Sequence, residues 1–251
     1  MDIILKISQE LMCRQEQVAA AVKLIDEGCT IPFIARYRKE ATGSLNDEQL
    51  RTLDERLTYL RGLEDRKEKV IASIEEQGML TDELKKSILA AETLVAVEDL
   101  YRPYKPKRKT RATIAQSKGL TGLANIISLQ MTNKPISEEA LAYVSEEKEV
   151  HSAEEAIAGA MDIIAESISD NAEYRTEIRS LTMDKGILMT TAKDPEAESV
   201  YEMYYDFSTP VRKMTGYRTL AINRGEKEKF LSVKIEAPVD EITGYLIRQE
   251  I

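Results

Sequence analysis

Apolar residues recur at every third or fourth position through most of the chain, and this spacing restricts the fold more than any other sequence feature. Such spacing places apolar side chains on one face of an α-helix. The pattern appears in residues 3–11, returns in residues 18–25 and is longest in residues 47–77. Asn46 followed by Gln49 predicts an N-terminal cap for the longest run. The sequence therefore predicts a mainly α protein.

The longest run has a spacing that two helical architectures share. Leucines between residues 50 and 60 follow a 3-4-3 pattern, which also begins a coiled coil. The next two seam positions carry Glu64 and Lys67, where a coiled coil needs apolar residues. We therefore predict a packed scaffold helix, with a coiled coil as the alternative.

Proline, glycine and capping residues divide the rest of the chain into shorter helices. Pro32 predicts a break before a short basic turn over residues 33–39, and Gly78 predicts the end of the long helix. Thr81 and Thr93 predict the starts of two more helices. Further helices are predicted over residues 114–118, 120–129, 137–144, 152–168 and 170–181. The fourth of these starts with a Ser152–Glu155 capping box.

The C-terminal part of the chain contains short alternating or β-branched runs. Residues 187–192 and 230–236 have this pattern and predict two strands. Four aromatic residues between them, within residues 201–207, are interpreted as core residues on a helical segment. The predicted fold class is therefore a multi-helical scaffold with at most a minimal short β-sheet near the C-terminus.

The net charge of −9 hides two oppositely charged stretches. Residues 101–111 contain six bases and no acid, whereas residues 136–173 contain eleven acids and the single base Lys148. The acids are interpreted as a solvated helix face, with a site for a basic partner as the alternative.

Sparse histidines and cysteines exclude most enzyme and cofactor chemistry. His151 is the single histidine and is interpreted as a surface residue, while Cys13 and Cys29 lack metal-ligand spacing. The chain has no glycine-rich phosphate motif and no apolar run of about 18 residues, which a membrane span needs. We therefore expect no enzyme activity, cofactor, metal, membrane segment or small-molecule substrate, and metal–carboxylate chemistry is the one enzymatic alternative. Reduced cysteines indicate a cytoplasmic protein.

The basic residues 101–111 are the most informative stretch for function. Pro103 and Pro106 disfavour helix there, so the side chains should splay from an extended loop that reaches phosphates. Tyr101 and Tyr104 interleave with the bases and have rings suited to stacking on unpaired nucleobases. The alternative is a solvated loop whose cations pair with acids of the chain's own second half.

Three segments carry a resemblance to a known family. They are residues 30–45 (TIPFIARYRKEATGSL), residues 98–112 (EDLYRPYKPKRKTRA) and residues 224–228 (RGEKE). In sequence and in order, these segments resemble the N-terminal region of the Tex family of transcription accessory proteins, and the resemblance covers nearly the whole chain.

The resemblance implies a bacterial cytoplasmic protein that binds nucleic acid and acts in transcription. Family members continue into YqgF-like, helix-hairpin-helix and OB-fold RNA-binding domains, so we expect a fragment that lacks them. The family's helix-turn-helix element matches the chain near residues 66–119, although periodicity alone allows an ordinary αα-hairpin. The expected parts are a helical scaffold over residues 1–65, a helix-turn-helix-like element with the basic loop over residues 66–119, and a scaffold with short strands over residues 120–251. The resemblance implies no catalytic residue in this region.

The basic loop and the resemblance together predict sequence-independent contacts to the phosphates of RNA or DNA. This hypothesis requires that carboxylates of the same chain do not neutralise the loop. The alternative is a protein-interaction scaffold without nucleic-acid affinity, whose acidic face and long helix dock the family's other domains or the transcription machinery. The predicted nucleic-acid contacts are Arg102, Tyr104, Lys105, Lys107, Arg108, Lys109 and Arg111, with Arg36, Arg38 and Lys39 as second contacts.

Overall fold

A computed structural model describes residues 2–251, in which thirteen α-helices accompany one three-stranded sheet. The predicted mainly α fold with a minimal sheet near the C-terminus is confirmed. The chain divides into two compact units, a first that ends at Lys105 and a second over Pro106–Ile251. The division into three parts and the helix-turn-helix element stay predictions.

The helices of each unit follow one another along the chain. The first unit contains α1 (Ile3–Glu10), α2 (Gln15–Asp26), α3 (Ile31–Tyr37), α4 (Asp47–Glu76), α5 (Asp82–Ala90) and α6 (Leu94–Tyr101). The second unit contains α7 (Arg111–Ser117), α8 (Thr121–Leu129), α9 (Ile136–Leu141), α10 (Ala153–Asp170), α11 (Ala172–Lys185), α12 (Gly216–Lys227) and α13 (Val239–Glu250).

Helix α4 begins at the predicted capping box. The Gln49 backbone N–H donates to Asn46 Oδ1 at 2.8 Å, and the Asn46 N–H donates to Gln49 Oε1 at 3.0 Å. These bonds satisfy donors that a helix start leaves unpaired. The Thr81 and Thr93 hydroxyls likewise accept backbone N–H groups at the starts of α5 and α6, as predicted.

The apolar face of α4 forms the centre of the first unit. The helix packs against α1, α2, α3, α5 and α6, as the scaffold interpretation predicts. Lys67 lies at a position where a coiled coil would need an apolar residue, and its side chain is only 1% exposed. Its ammonium donates to Glu64 Oε1 at 2.8 Å and to the Leu89 carbonyl at 2.9 Å. The buried charge is therefore paired and hydrogen-bonded, as burial requires.

Residues 33–39, predicted to form a turn after Pro32, belong mostly to α3. The turn prediction is wrong because Pro32 lies in the first turn of this helix, where its missing N–H has no intrahelical partner to lose. Ile34 is fully buried and fixes the helix against α4. The helix therefore turns its other face, with basic and aromatic side chains, to solvent.

Helix α10 is the central helix of the second unit and packs against α7, α8 and α9. The N–H of Glu155 donates to Ser152 Oγ at 3.2 Å, as the predicted capping box requires. The Glu155 carboxylate accepts from the His151 N–H at 2.9 Å instead of from the Ser152 N–H, so only half of the predicted capping box forms. His151 itself is exposed, as predicted.

The sheet has the order β2–β1–β3, with both pairs antiparallel. The two predicted strands are β1 (Ile187–Ala192) and β3 (Leu231–Glu236), and they pair directly. Strand β2 (Asp206–Pro210) was not predicted. It contains Phe207, so the interpretation of residues 201–207 as one helical segment is wrong, although Glu202–Tyr204 form a short 3-10 helix. Their interpretation as core is confirmed for Tyr201 and Tyr204, each 5% exposed.

An ion pair between α1 and α4 makes the first unit sensitive to acid. Arg56 Nε donates to Glu10 Oε2 at 2.6 Å and a second guanidinium nitrogen donates to Oε1 at 2.8 Å. These hydrogen bonds, against the opposing effect of partial burial, hold the pKa of Glu10 below its ordinary value of 4.5. A carboxyl whose folded pKa is depressed stabilises the fold above its unfolded pKa and loses that contribution as pH falls through the folded pKa.

We expect Glu10→Gln to lower the free energy of unfolding at pH 7 by up to about 1 kcal/mol. The deficit should be smaller at about pH 3, because the carboxyl of the parent loses its charge as pH falls through its folded pKa. Urea denaturation at both pH values measures the difference. Glu55→Gln, an exposed change on α4, is the control and should have little effect at either pH. A deficit for Glu10→Gln that is equal at both pH values would contradict the assignment.

Candidate nucleic-acid interface

The basic segment, defined here as residues 102–111, crosses the boundary between the two compact units after Lys105. Its first part is a short 3-10 turn, Arg102–Tyr104, that continues α6. Its second part, which begins at Pro106, lacks regular structure until Arg111 opens α7.

The tyrosines of this region are held by the first unit. Tyr101 is 7% exposed, its hydroxyl lies 3.0 Å from Ser73 Oγ, and the Arg66 guanidinium lies 5.3 Å from its ring centroid. The interpretation of Tyr101 as a stacking residue is therefore wrong. Tyr104 is half-buried against the same core, and its carbonyl accepts a 3.0 Å hydrogen bond from Gln77.

The two bases of the first part differ in surroundings. Arg102 is exposed on the 3-10 turn. Lys105 is 58% exposed, and its ammonium lies 3.8 Å from Glu98 Oε2. Glu98 also accepts a 2.6 Å hydrogen bond from Arg66, so this carboxylate already has a closer cation. The pair at Lys105 is therefore long and solvated, and a phosphate can compete for this ammonium.

Lys107 is held by carboxylates of α10. Its ammonium pairs with Glu166 at 2.9 Å and with Asp170, whose side chain is only 8% exposed. Burial alone would lower the pKa of Lys107, but the hydrogen bonds to Asp170 and Glu166 prevail and raise the pKa above its ordinary value. The expectation that no acid of the same chain neutralises the loop is therefore wrong at Lys107.

The remaining bases of the segment are more accessible. Arg108 and Lys109 are exposed, and neither forms an ion pair within residues 2–251. Arg111 is 86% exposed and lies 3.4 Å from Asp162. These three side chains are the accessible cations of this segment in the second unit.

Three basic residues between Lys107 and Lys118 pair with acids of α10 in an antiparallel series. Lys107 pairs with Glu166 and Asp170, Arg111 with Asp162, and Lys118 of the turn after α7 with Glu155 at 3.1 Å. The His151 N–H and Lys118 together lower the pKa of Glu155. The interpretation of these acids as a simply solvated face is therefore wrong for the acids in this series.

The second predicted cluster lies on α3 and just after it. Arg36, Arg38 and Lys39 are all exposed, and no ion pair engages them in the described part of the chain. The Arg38 guanidinium lies 5.7 Å from the Phe33 ring centroid. The sequence predicted these cations but not the exposed aromatic side chains beside them, Phe33 and Tyr37.

The remaining candidate chemistries give no further site in residues 2–251. No group of three or more His, Cys, Asp or Glu side chains there is placed to hold a metal ion. Among the same residues, no helix combines the length and apolar character needed to cross a bilayer.

Comparison with known proteins matches two family regions and several long relatives. The Tex-like protein N-terminal domain matches residues 1–75, and the Tex central region-like domain matches residues 131–249. YdcI of Bacillus subtilis is 48% identical over 98% of this chain and 35% of its own length. The transcriptional accessory protein Tex of Neisseria gonorrhoeae is 43% identical over 96% of this chain and 32% of its own.

A more distant relative has a name that refers to RNA. The S1 RNA-binding domain-containing protein 1 of Pongo abelii is 28% identical over 93% of this chain and 24% of its own length. The chain thus spans about a third of the length of the bacterial relatives that it matches. From the ordered matches to both Tex regions, we conclude that the chain belongs to the Tex family and covers its N-terminal domain and central region.

Proposed function

We propose that this region of the Tex-family protein binds nucleic acid through phosphate contacts and has no catalytic role of its own. The observation that carries the proposal is the pair of exposed cations Arg108 and Lys109, which no carboxylate of the described chain neutralises. Arg111 beside them is 86% exposed. Phosphate contacts of this kind position a strand without reading its sequence, so we propose sequence-independent binding.

The ion pairs of the basic segment distinguish the cations that can bind phosphate from those that already bind carboxylates. Lys107 already binds two carboxylates, so a phosphate would have to displace them. Lys105 has only a long contact to Glu98 and stays a candidate, as does the second cluster of Arg36, Arg38 and Lys39.

The names of the relatives support the class of ligand. One relative is a transcriptional accessory protein, and another is named for an S1 RNA-binding domain. We therefore propose RNA or DNA as the partner of this chain, with action alongside the transcription machinery in the cytoplasm, as the family resemblance implies.

The test is a titration of labelled 12-nucleotide single strands and duplexes, followed by fluorescence anisotropy at several salt concentrations. Three phosphate contacts to a single strand predict a slope of log K against log salt of about −2.1. The triple variant R108A/K109A/R111A should bind about tenfold more weakly, and its slope should be closer to zero.

A charge-matched control separates local contacts from net charge. K134A/K193A/K213A removes three exposed lysines of the same unit that form no ion pair within residues 2–251. It should retain most of the parent affinity. Absence of binding by the parent, or equal losses in the two triple variants, would contradict the proposed contacts.

An interaction scaffold is the second candidate function, and one surface favours it. Helices α11 and α13 contain no buried residue, and Met183, Val239 and Ile247 are at least 50% exposed. A partner that covered these side chains would remove their apolar area from water, which favours association. Co-sedimentation with the remaining part of a Tex-family relative, lost in V239E/I247E, would support this function.

A further inference from the structure

We propose that α3 carries a stacking site for unpaired nucleobases, formed by Tyr37 and Phe33, with three cationic residues close to them in the chain. The inference rests on the proposed function, because it specifies single-stranded nucleic acid as a ligand of this protein. It also adds Phe33 and Tyr37 to the basic residues that were predicted to bind nucleic acid.

The two rings form an exposed pair on one helix face. Phe33 and Tyr37 are one helical turn apart, their ring centroids are separated by 5.3 Å, and their planes are inclined by 46°. Phe33 is 39% exposed and Tyr37 is 68% exposed. Ile34, which directly follows Phe33, is fully buried in the first core. The buried face therefore fixes the helix while the Tyr37 ring stays open to a planar ligand.

Three cationic residues lie within six positions of this aromatic pair along the chain. Arg36 lies three residues after Phe33 and so shares its helix face. The Arg38 guanidinium lies against the Phe33 ring, and Lys39 follows directly. Glu40 is the single acid within residues 28–46. An open ring beside three accessible cations matches a nucleotide, which has an aromatic base next to a phosphate.

Hydrogen bonds in the turn after α3 fix the backbone that follows these side chains. Thr42 is fully buried, and its N–H donates to the Arg38 carbonyl at 3.2 Å. The Ser44 N–H donates to the Lys39 carbonyl at 2.7 Å. The side-chain amide of Gln17 in α2 donates to the Gly43 carbonyl at 2.7 Å, and the φ angle of Gly43 is +59°. A fixed backbone loses less conformational freedom when a ligand binds.

The chemistry of stacking selects the form of the nucleic acid. A base in a duplex is covered on both faces by its neighbours, whereas a base in a single strand can leave the stack at lower cost. Stacking on an aromatic side chain tolerates every base, because each base has a π-face. The ligand of this site is therefore single-stranded RNA or DNA without strong sequence preference.

The test compares oligo-U and oligo-dT 12-mers with a dT–dA duplex of the same length, using the 251-residue chain. F33L/Y37L retains apolar bulk but removes both rings and should bind the single strands roughly tenfold more weakly, with duplex binding unchanged. F33Y/Y37W retains aromatic rings and should restore the single-strand affinity. Tyr217→Leu, which removes a ring of similar exposure, 65%, from α12, should leave binding unchanged.

A direct readout keeps the test decisive if a variant folds poorly. Photo-crosslinking of the parent to oligonucleotides with 5-iodouracil, mapped by mass spectrometry, should label Phe33 or Tyr37. The site is disproved if the parent binds single strands but these residues are not labelled and F33L/Y37L binds as the parent does. If R108A/K109A/R111A loses affinity in that case, the proposed function stands without the stacking site. If the parent binds no nucleic acid at all, both fail.

Discussion

Replacing Lys67 with alanine is expected to destabilise the first unit by about 3 kcal/mol. The side chain is 1% exposed, so the substitution removes a buried alkyl stem as well as a charge. The Leu89 carbonyl would lose the donor it has at 2.9 Å, and Glu64 would lose its cation at 2.8 Å. An acceptor left without a partner in a buried place costs about 1–3 kcal/mol by itself.

Urea denaturation measures this loss, and two further substitutions identify its source. Lys67→Met retains the length of the stem, so it should lose less stability than alanine while still removing the donor to the Leu89 carbonyl. Lys69→Ala, at an exposed position paired with Asp65, should cost at most about 1 kcal/mol. If the alanine variants at residues 67 and 69 lost equal stability, the buried lysine would have no special structural role.

Gly159→Val is expected to destabilise the second unit by about 3 kcal/mol, since overpacking a close-packed core has costs of this size. Gly159 lies in α10, and a Cβ added there would overlap Leu120 Cδ1 and lie 3.3 Å from Ala115 Cβ. Leu120 is itself 1% exposed, so its side chain has no open space into which to move. The glycine therefore allows the close approach between α10 and the segment that precedes α8.

The same substitution at Gly62 is a matched control. Gly62 also lies inside a helix, but a Cβ there meets no atom within 4 Å. Valine and glycine have helix propensities within about 0.5 kcal/mol of each other, so Gly62→Val should be nearly neutral. Amide hydrogen exchange in each unit measures both effects. Equal losses at the two positions would mean that helix propensity, and not packing, decides the result.

Local sequence signals predict much of the helical structure. Helix α4 and its cap are predicted because Asn46 and Gln49 form bonds within four residues of each other. Helix α3 is not predicted, because proline breaks a helix interior and favours a helix start, and the sequence alone did not distinguish these positions. Strand β2 lacks a β-branched run and ends at Pro210; it forms because β1 offers it hydrogen-bonding partners.

The candidate site was harder to predict than the helices. The cations are visible in the sequence, but which of them are neutralised depends on contacts between residues far apart in the chain. Lys107 and Asp170 are 63 positions apart. One signal was present: Asp162, Glu166 and Asp170 are spaced by four residues, as acids on one helix face are. Their partners at residues 107 and 111 have the same spacing.

The anchoring of Lys107 limits what the segment after it can reach. Lys107 is fixed by two carboxylates, and three residues later the Thr110 hydroxyl caps α7 by accepting the Thr113 N–H. Only Arg108 and Lys109 lie between these two fixed residues. Because an extended chain spans about 3.5 Å per residue, this segment is short. It cannot unwind to wrap a strand. The ion pairs that neutralise Lys107 therefore also restrict the backbone that carries Arg108 and Lys109, the two cations of the proposed function.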